Sequence, residues 1–79
     1  MNERFWVELK KSDIDNTATE WRYVEKEAED TALLILLQHN GSKLFHIHQC
    51  NTPGPGECLE TPLFTTSLKR AKAKALLFL

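Results

Sequence analysis

Residues 33–49, LLILLQHNGSKLFHIHQ, limit the possible folds more than any other stretch of this chain. Two apolar runs are joined by Asn-Gly, the strongest short-range hairpin signal, because a two-residue turn needs the positive φ that Asn and Gly adopt most readily. With Asn40-Gly41 as that turn, the expected register sets Leu37 opposite Leu44, Ile35 opposite His46 and Leu33 opposite His48. On the other face Gln38 meets Lys43, Leu36 meets Phe45 and Leu34 meets Ile47. The pairing keeps apolar against apolar and leaves the polar pair near the tip.

The segments on either side extend the pattern. RFWVELKK alternates, with Phe5, Val7 and Leu9 on one face and Arg4, Trp6, Glu8 and Lys10 on the other, the period of a half-buried strand. SDIDNT supplies the loop that ends it. A strand near Trp21–Glu25 would complete a meander. Residues 17–39 also carry a helical alternative: Thr17 and Glu20 form a T-x-x-E capping box, and Trp21, Val24, Ala28, Ala32 and Ile35 recur at helical spacing. The last segment is a helix on either reading. Ser67 or a neighbouring Thr caps SLKRAKAKALLFL, with Leu68, Ala71, Ala75 and Leu79 on one face and Lys69, Arg70 and Lys74 opposite. The expected fold is therefore α+β, an antiparallel sheet of three to four strands with a C-terminal α-helix packed on one face, in a single domain over residues 1–79.

A chain of 79 residues has one thin core. Its formal net charge is −1, which gives no overall drive toward nucleic acid or anionic membrane. The charge is unevenly placed. Residues 1–60 hold six Lys/Arg and all eleven Asp/Glu, whereas residues 61–79 hold four Lys/Arg and no acid. MNERFWVELKK is charged throughout and does not read as a secretory signal, and ALLILL is far shorter than the roughly 20 residues that span a bilayer. The expected setting is cytoplasmic, with reduced thiols and no membrane partner. Asn40–Ser42 matches a glycosylation sequon and is read as a turn.

Residues 45–58, FHIHQCNTPGPGEC, hold the only concentration of metal-ligating side chains. On a strand His46, His48 and Cys50 share a face, but His46 and Cys50 are about 13 Å apart, too far for one ion. A zinc site would need the Pro/Gly loop to fold back, using His46, His48 and Cys58 or His48, Cys50 and Cys58. The C-x-x-C pairs of structural zinc sites are missing, so the plainer expectation is two sheet histidines and no cofactor. A Cys50–Cys58 disulfide is geometrically feasible, with the expected compartment against it. Cysteine–histidine catalysis through Cys50 or Cys58 with His48 lacks an identifiable oxyanion donor and orienting group. Asp13/Asp15 and Glu27/Glu29 sit in polar stretches, without the apolar surroundings that make a carboxyl a general acid near neutral pH. The chain is accordingly expected not to be an enzyme.

Three surfaces remain for binding. Trp6, Trp21 and Tyr23 are aromatic anchors of the kind that hold protein interfaces together. Glu25, Glu27, Glu29 and Asp30 form an acidic stretch that could compete for a basic groove on a partner. Lys69, Arg70, Lys72 and Lys74 offer four cations to nucleic-acid phosphates. The closing ALLFL should dock Leu77, Phe78 and Leu79 against the sheet or complete a homodimer contact. The ending FTTSLKRAKAKAL, of the form S/T-L-x-x-A-K-x-x-A after a sheet, resembles a general ending of small proteins carried by phages and mobile elements. By analogy of type alone, that class includes anti-CRISPR inhibitors. The leading expectation is a small non-enzymatic protein that acts by protein–protein contact, as an inhibitor or adaptor. Nucleic-acid binding through the terminal helix and zinc binding through His46, His48 and Cys58 are the alternatives.

Overall fold

The computed structural model describes residues 3–50 and 58–79, with the backbone alone at Cys50 and Cys58. Within them, β1 (Arg4–Leu9), β2 (Ala18–Glu25), β3 (Leu34–His39), β4 (His46–Cys50) and β5 (Cys58–Pro62) precede α1 (Leu68–Leu76). The strands pair antiparallel in the order β1-β2-β3-β4-β5, a meander. The α+β expectation holds, with five strands in place of three to four. Residues 18–25 and 34–39 are strands, so the helical alternative for this region is not adopted. Glu20 lies inside β2 instead of closing a capping box.

The hairpin forms, but its register differs from the expected one by two residues. Ile35 pairs with His48, Leu36 with Ile47 and Leu37 with His46. The turn explains the difference. Ser42 N–H donates to the His39 carbonyl at 3.0 Å, so Asn40 and Gly41 are its central residues. Gly41 has φ +83° while Asn40 is not left-handed, so the both-positive two-residue turn does not form. Ladder pairing resumes only at His46. A shift of two keeps every side chain on its expected face, whereas a shift of one would have inverted the sheet.

The additional strand is β5, hidden in sequence by the Pro/Gly loop before it and by Pro62 within it. Leu63 N–H donates to the Phe45 carbonyl at 3.0 Å, which makes Phe45/Leu63 a hydrogen-bonded pair. Pairs alternate along an antiparallel ladder, so His46/Pro62 is a non-hydrogen-bonded pair whose N–H positions face away from the partner strand. Proline in this edge strand therefore removes no ladder bond.

One sheet face and α1 enclose the core, which comprises Trp21, Leu34, Leu36, Phe45, Ile47, Leu63, Ala71 and Ala75, with Trp6, Tyr23 and Leu68 packed against it. Ser67 caps α1 by accepting the Arg70 N–H, and Ala71 and Ala75 form the buried stripe that lets the helix lie close to the sheet. Residues 77–79 do not dock, contrary to one of the two expectations for them: Leu77 is 84% exposed, and Phe78 and Leu79 are also exposed. The helix ends at Leu76, and the turn that follows, with Phe78 N–H on the Ala75 carbonyl, keeps them off the sheet.

The opposite sheet face is covered by polar loop rather than by helix. Val24, Leu37, Ala18 and Glu20 are buried there, together with Ser12 from the β1–β2 loop. Among the described residues no helix is long and apolar enough to cross a membrane.

Candidate functional site

The β1–β2 loop is pinned over the second face by three carboxylates. Glu20 is fully buried in β2; it accepts from the Ser12 hydroxyl and from Arg22 Nε. A carboxylate out of water is tolerated only when paired and hydrogen-bonded, and here both oxygens are engaged. The Glu20 bond, reinforced by Asp13 at 3.3 Å, raises the Arg22 guanidinium above its already high ordinary value. Asp15 turns the loop back by accepting the Thr17 N–H at 2.9 Å and the Thr17 hydroxyl at 2.6 Å. Those bonds, with a smaller contribution from His39, hold its carboxyl below the ordinary aspartate value.

His39 lies between two carboxylates. Its Nδ1 is 2.9 Å from Asp15 Oδ2 and its Nε2 is 2.9 Å from Glu60 Oε1. The imidazole thus struts the β1–β2 loop to β5 across the end of β3. Its ring lies 5.6 Å from that of His46, edge-on. The sequence hid this cluster, because the expected register left His39 isolated by the turn. The two-residue shift is what brings it beside His46.

Of the expected metal set, His46 and His48 do share a face, opposite Pro62 and Glu60 respectively. The His46 Nδ1 is buried without a hydrogen-bond partner among the described residues. The side chain of Cys58 lies outside the described residues, as do that of Cys50 and the whole of residues 51–57. Among the described residues no group of three His, Cys, Asp or Glu side chains is arranged to hold a metal ion.

The aromatic surface is not where the sequence suggested. Trp21 is 5% exposed, packs on Phe45 and donates its indole N–H to Glu8 Oε1 at 3.1 Å. Trp6 and Tyr23 pack with tilted rings, centroids 5.0 Å apart, and are half-buried beside α1, with Lys72 Nζ 5.7 Å from the centre of the Trp6 ring. The physical reason is the alanine stripe of α1, which brings the helix onto the Trp/Tyr face. Lys69, Arg70 and Lys74 do project to solvent, whereas Lys72 is drawn toward Trp6.

The acidic stretch divides. Glu25 is half-buried and ion-paired to Arg4 at 3.3 Å. Glu27, Glu29 and Asp30 are exposed on a turn tied by Ala28 N–H to the Glu25 carbonyl and Thr31 N–H to the Ala28 carbonyl. Directly after them, Ala32 and Leu33 form one lip of a cleft of about 350 Å³, whose lining also includes Ile14, Ile35, His48 and Gln49. Ile14 is 42% and Leu33 36% exposed, so aliphatic side chains stand at the open mouth of the cleft, while His48 and Gln49 give the lining polar surface in nearly equal measure. Sequence reading missed it. Its only signal was two aliphatic residues, Ile14 and Leu33, in otherwise polar connecting segments.

No protein-family model, curated protein or solved structure matches the chain.

Proposed function

We propose that this chain is a small non-enzymatic binding protein that works by contact with another protein, through the acidic turn at Glu27, Glu29 and Asp30 and the cleft beside it. The observation that carries the reading is the continuity of the two: three exposed carboxylates are followed, after Thr31, by Ala32 and Leu33, which line a cleft of mixed aliphatic and polar character. Aliphatic side chains grouped beside a polar, charged rim match the usual anatomy of a protein-binding patch. The cleft is at the small end of the range for ligand sites, suited to one apolar side chain. A partner presenting such a side chain flanked by Lys or Arg would gain apolar burial at the centre and charge complementarity at the edge. Steric occlusion of a cytoplasmic partner, in the manner of an inhibitor or adaptor, is the mechanism such a surface allows. The likeness of the chain's ending to small phage and mobile-element proteins agrees with that role at the level of type only.

A second reading, nucleic-acid binding, is favoured by the exposed Lys69, Arg70 and Lys74 on α1. One experiment separates the two. The tagged chain is used to capture partners from nuclease-treated lysate of its source cell, beside two variants. One is Glu27→Lys/Glu29→Lys/Asp30→Lys/Leu33→Asp and the other is Lys69→Glu/Arg70→Glu/Lys74→Glu. The first variant should lose the partner with its circular dichroism unchanged, and the second should keep it. Loss of capture on nuclease treatment, or in the helix variant alone, refutes the acidic-turn reading and favours the second.

A further inference from the structure

The β4–β5 ladder sets Cys50 directly opposite Cys58. The Leu63 N–H to Phe45 carbonyl bond fixes the alternation along this ladder. Counting from the hydrogen-bonded pair Phe45/Leu63, the pairs His46/Pro62, His48/Glu60 and Cys50/Cys58 are all non-hydrogen-bonded. At such pairs the Cα atoms of antiparallel strands approach to about 4.5 Å, the closest positions in a sheet. That spacing lies inside the roughly 4.4–6.8 Å window a disulfide requires. Among the described residues the ladder runs from His46/Pro62 to Cys50/Cys58, so the two cysteines are its last pair.

We infer that Cys50 and Cys58 are a reversible dithiol–disulfide pair that staples edge strand β5 to β4. The inference is independent of the proposed binding surface and holds whichever partner the chain has. The oxidant it requires is a low-molecular-weight disulfide such as oxidised glutathione. One cysteine thiolate attacks that disulfide, forming a mixed disulfide and releasing one glutathione thiolate. The second cysteine thiolate then attacks the protein-side sulfur, closing the 50–58 bond and releasing the second glutathione. Two electrons pass from the protein thiols to the small disulfide, and the two thiol protons end on the two released glutathione thiols, exchanged through solvent.

Stapling acts on the strand that carries Glu60 to His39 and leads through buried Leu63 toward α1. Reduced, β5 is held by its ladder and those contacts; oxidised, its first residue is covalently tied to β4 as well. The bond removes freedom mainly from the unfolded chain, so oxidation should raise the melting temperature, by roughly 10 °C for a domain of this size.

The test uses the full chain equilibrated in buffers of reduced and oxidised glutathione, then acid-quenched and read by intact mass and peptide mapping. The expected result is a monomer two hydrogens lighter, with residues 50 and 58 in one linked peptide, a higher melting temperature, and full reversal by dithiothreitol. The Cys58→Ser variant should instead accumulate a stable glutathione adduct on Cys50. Persistent glutathione adducts on both cysteines of the unsubstituted chain would overturn the inference, as would chain-to-chain disulfides. So would near-stoichiometric zinc retained by the reduced protein, which would assign the thiols to a metal together with His48.

Discussion

Glu20 shows how much one side chain can decide in a thin fold. It sits in the middle of β2, yet its carboxylate is buried and links Ser12 of the β1–β2 loop to Arg22. Arg22 is partly exposed and keeps Asp13, but the buried Ser12 hydroxyl would lose its acceptor, so Glu20→Ala should cost about 2 kcal/mol, measured by urea unfolding. A cost under about 1 kcal/mol, in the range of exposed pairs, would show that the loop is not anchored there. Asp15 makes a prediction with a sign. Its carboxyl is held below the ordinary value of 3.8, chiefly by Thr17, so the folded state favours the ionised form. That contribution is complete above the unfolded value and is lost as the pH falls through the lower folded one. Stability measured from about pH 5 down to about pH 2 should therefore fall more steeply in the parent than in Asp15→Asn. Parallel curves would contradict the assignment.

At the scale of elements, the alanine stripe of α1 determines which sheet face is covered. Ala71 is fully buried, so Ala71→Leu should overpack the interface and cost about 1–3 kcal/mol, while Ala73→Leu, on the exposed side, should be close to neutral. Equal effects at the two positions would mean that the helix does not dock through this stripe. The same stripe was legible in sequence, as were the hairpin, the alternation of β1 and the cap at Ser67, because each rests on a local period or a short motif. What lay beyond reading was long-range. Which face α1 would choose depends on the sheet, and the choice turned Trp21 from an expected contact residue into core. The register depended on Gly41 alone taking positive φ. β5 was concealed because Pro62 reads as a breaker unless its place at an edge, in a non-hydrogen-bonded pair, is known. SDIDNT read correctly as a loop, but nothing in its composition shows that it folds over the second face and supplies partners to Glu20, Arg22 and His39. The cleft follows from that folding and was equally hidden.

For the molecule as a whole, the uneven charge of the sequence becomes a spatial separation. The acidic turn and cleft belong to the β2–β3 connection and the loop-covered side, while Lys69, Arg70 and Lys74 lie on the helix across the sheet. A partner drawn to one end by charge is repelled from the other, which orients the encounter before any apolar contact forms. The exposed Leu77, Phe78 and Leu79 fall on the helix side and so take no part in a contact at the cleft. Amide hydrogen–deuterium exchange of the chain alone and saturated with its captured partner tests this surface most directly. New protection is expected in residues 26–35 and around Ile14, with exchange along residues 67–77 unchanged. Protection confined to α1, with the 26–35 segment unaffected, would contradict this expectation.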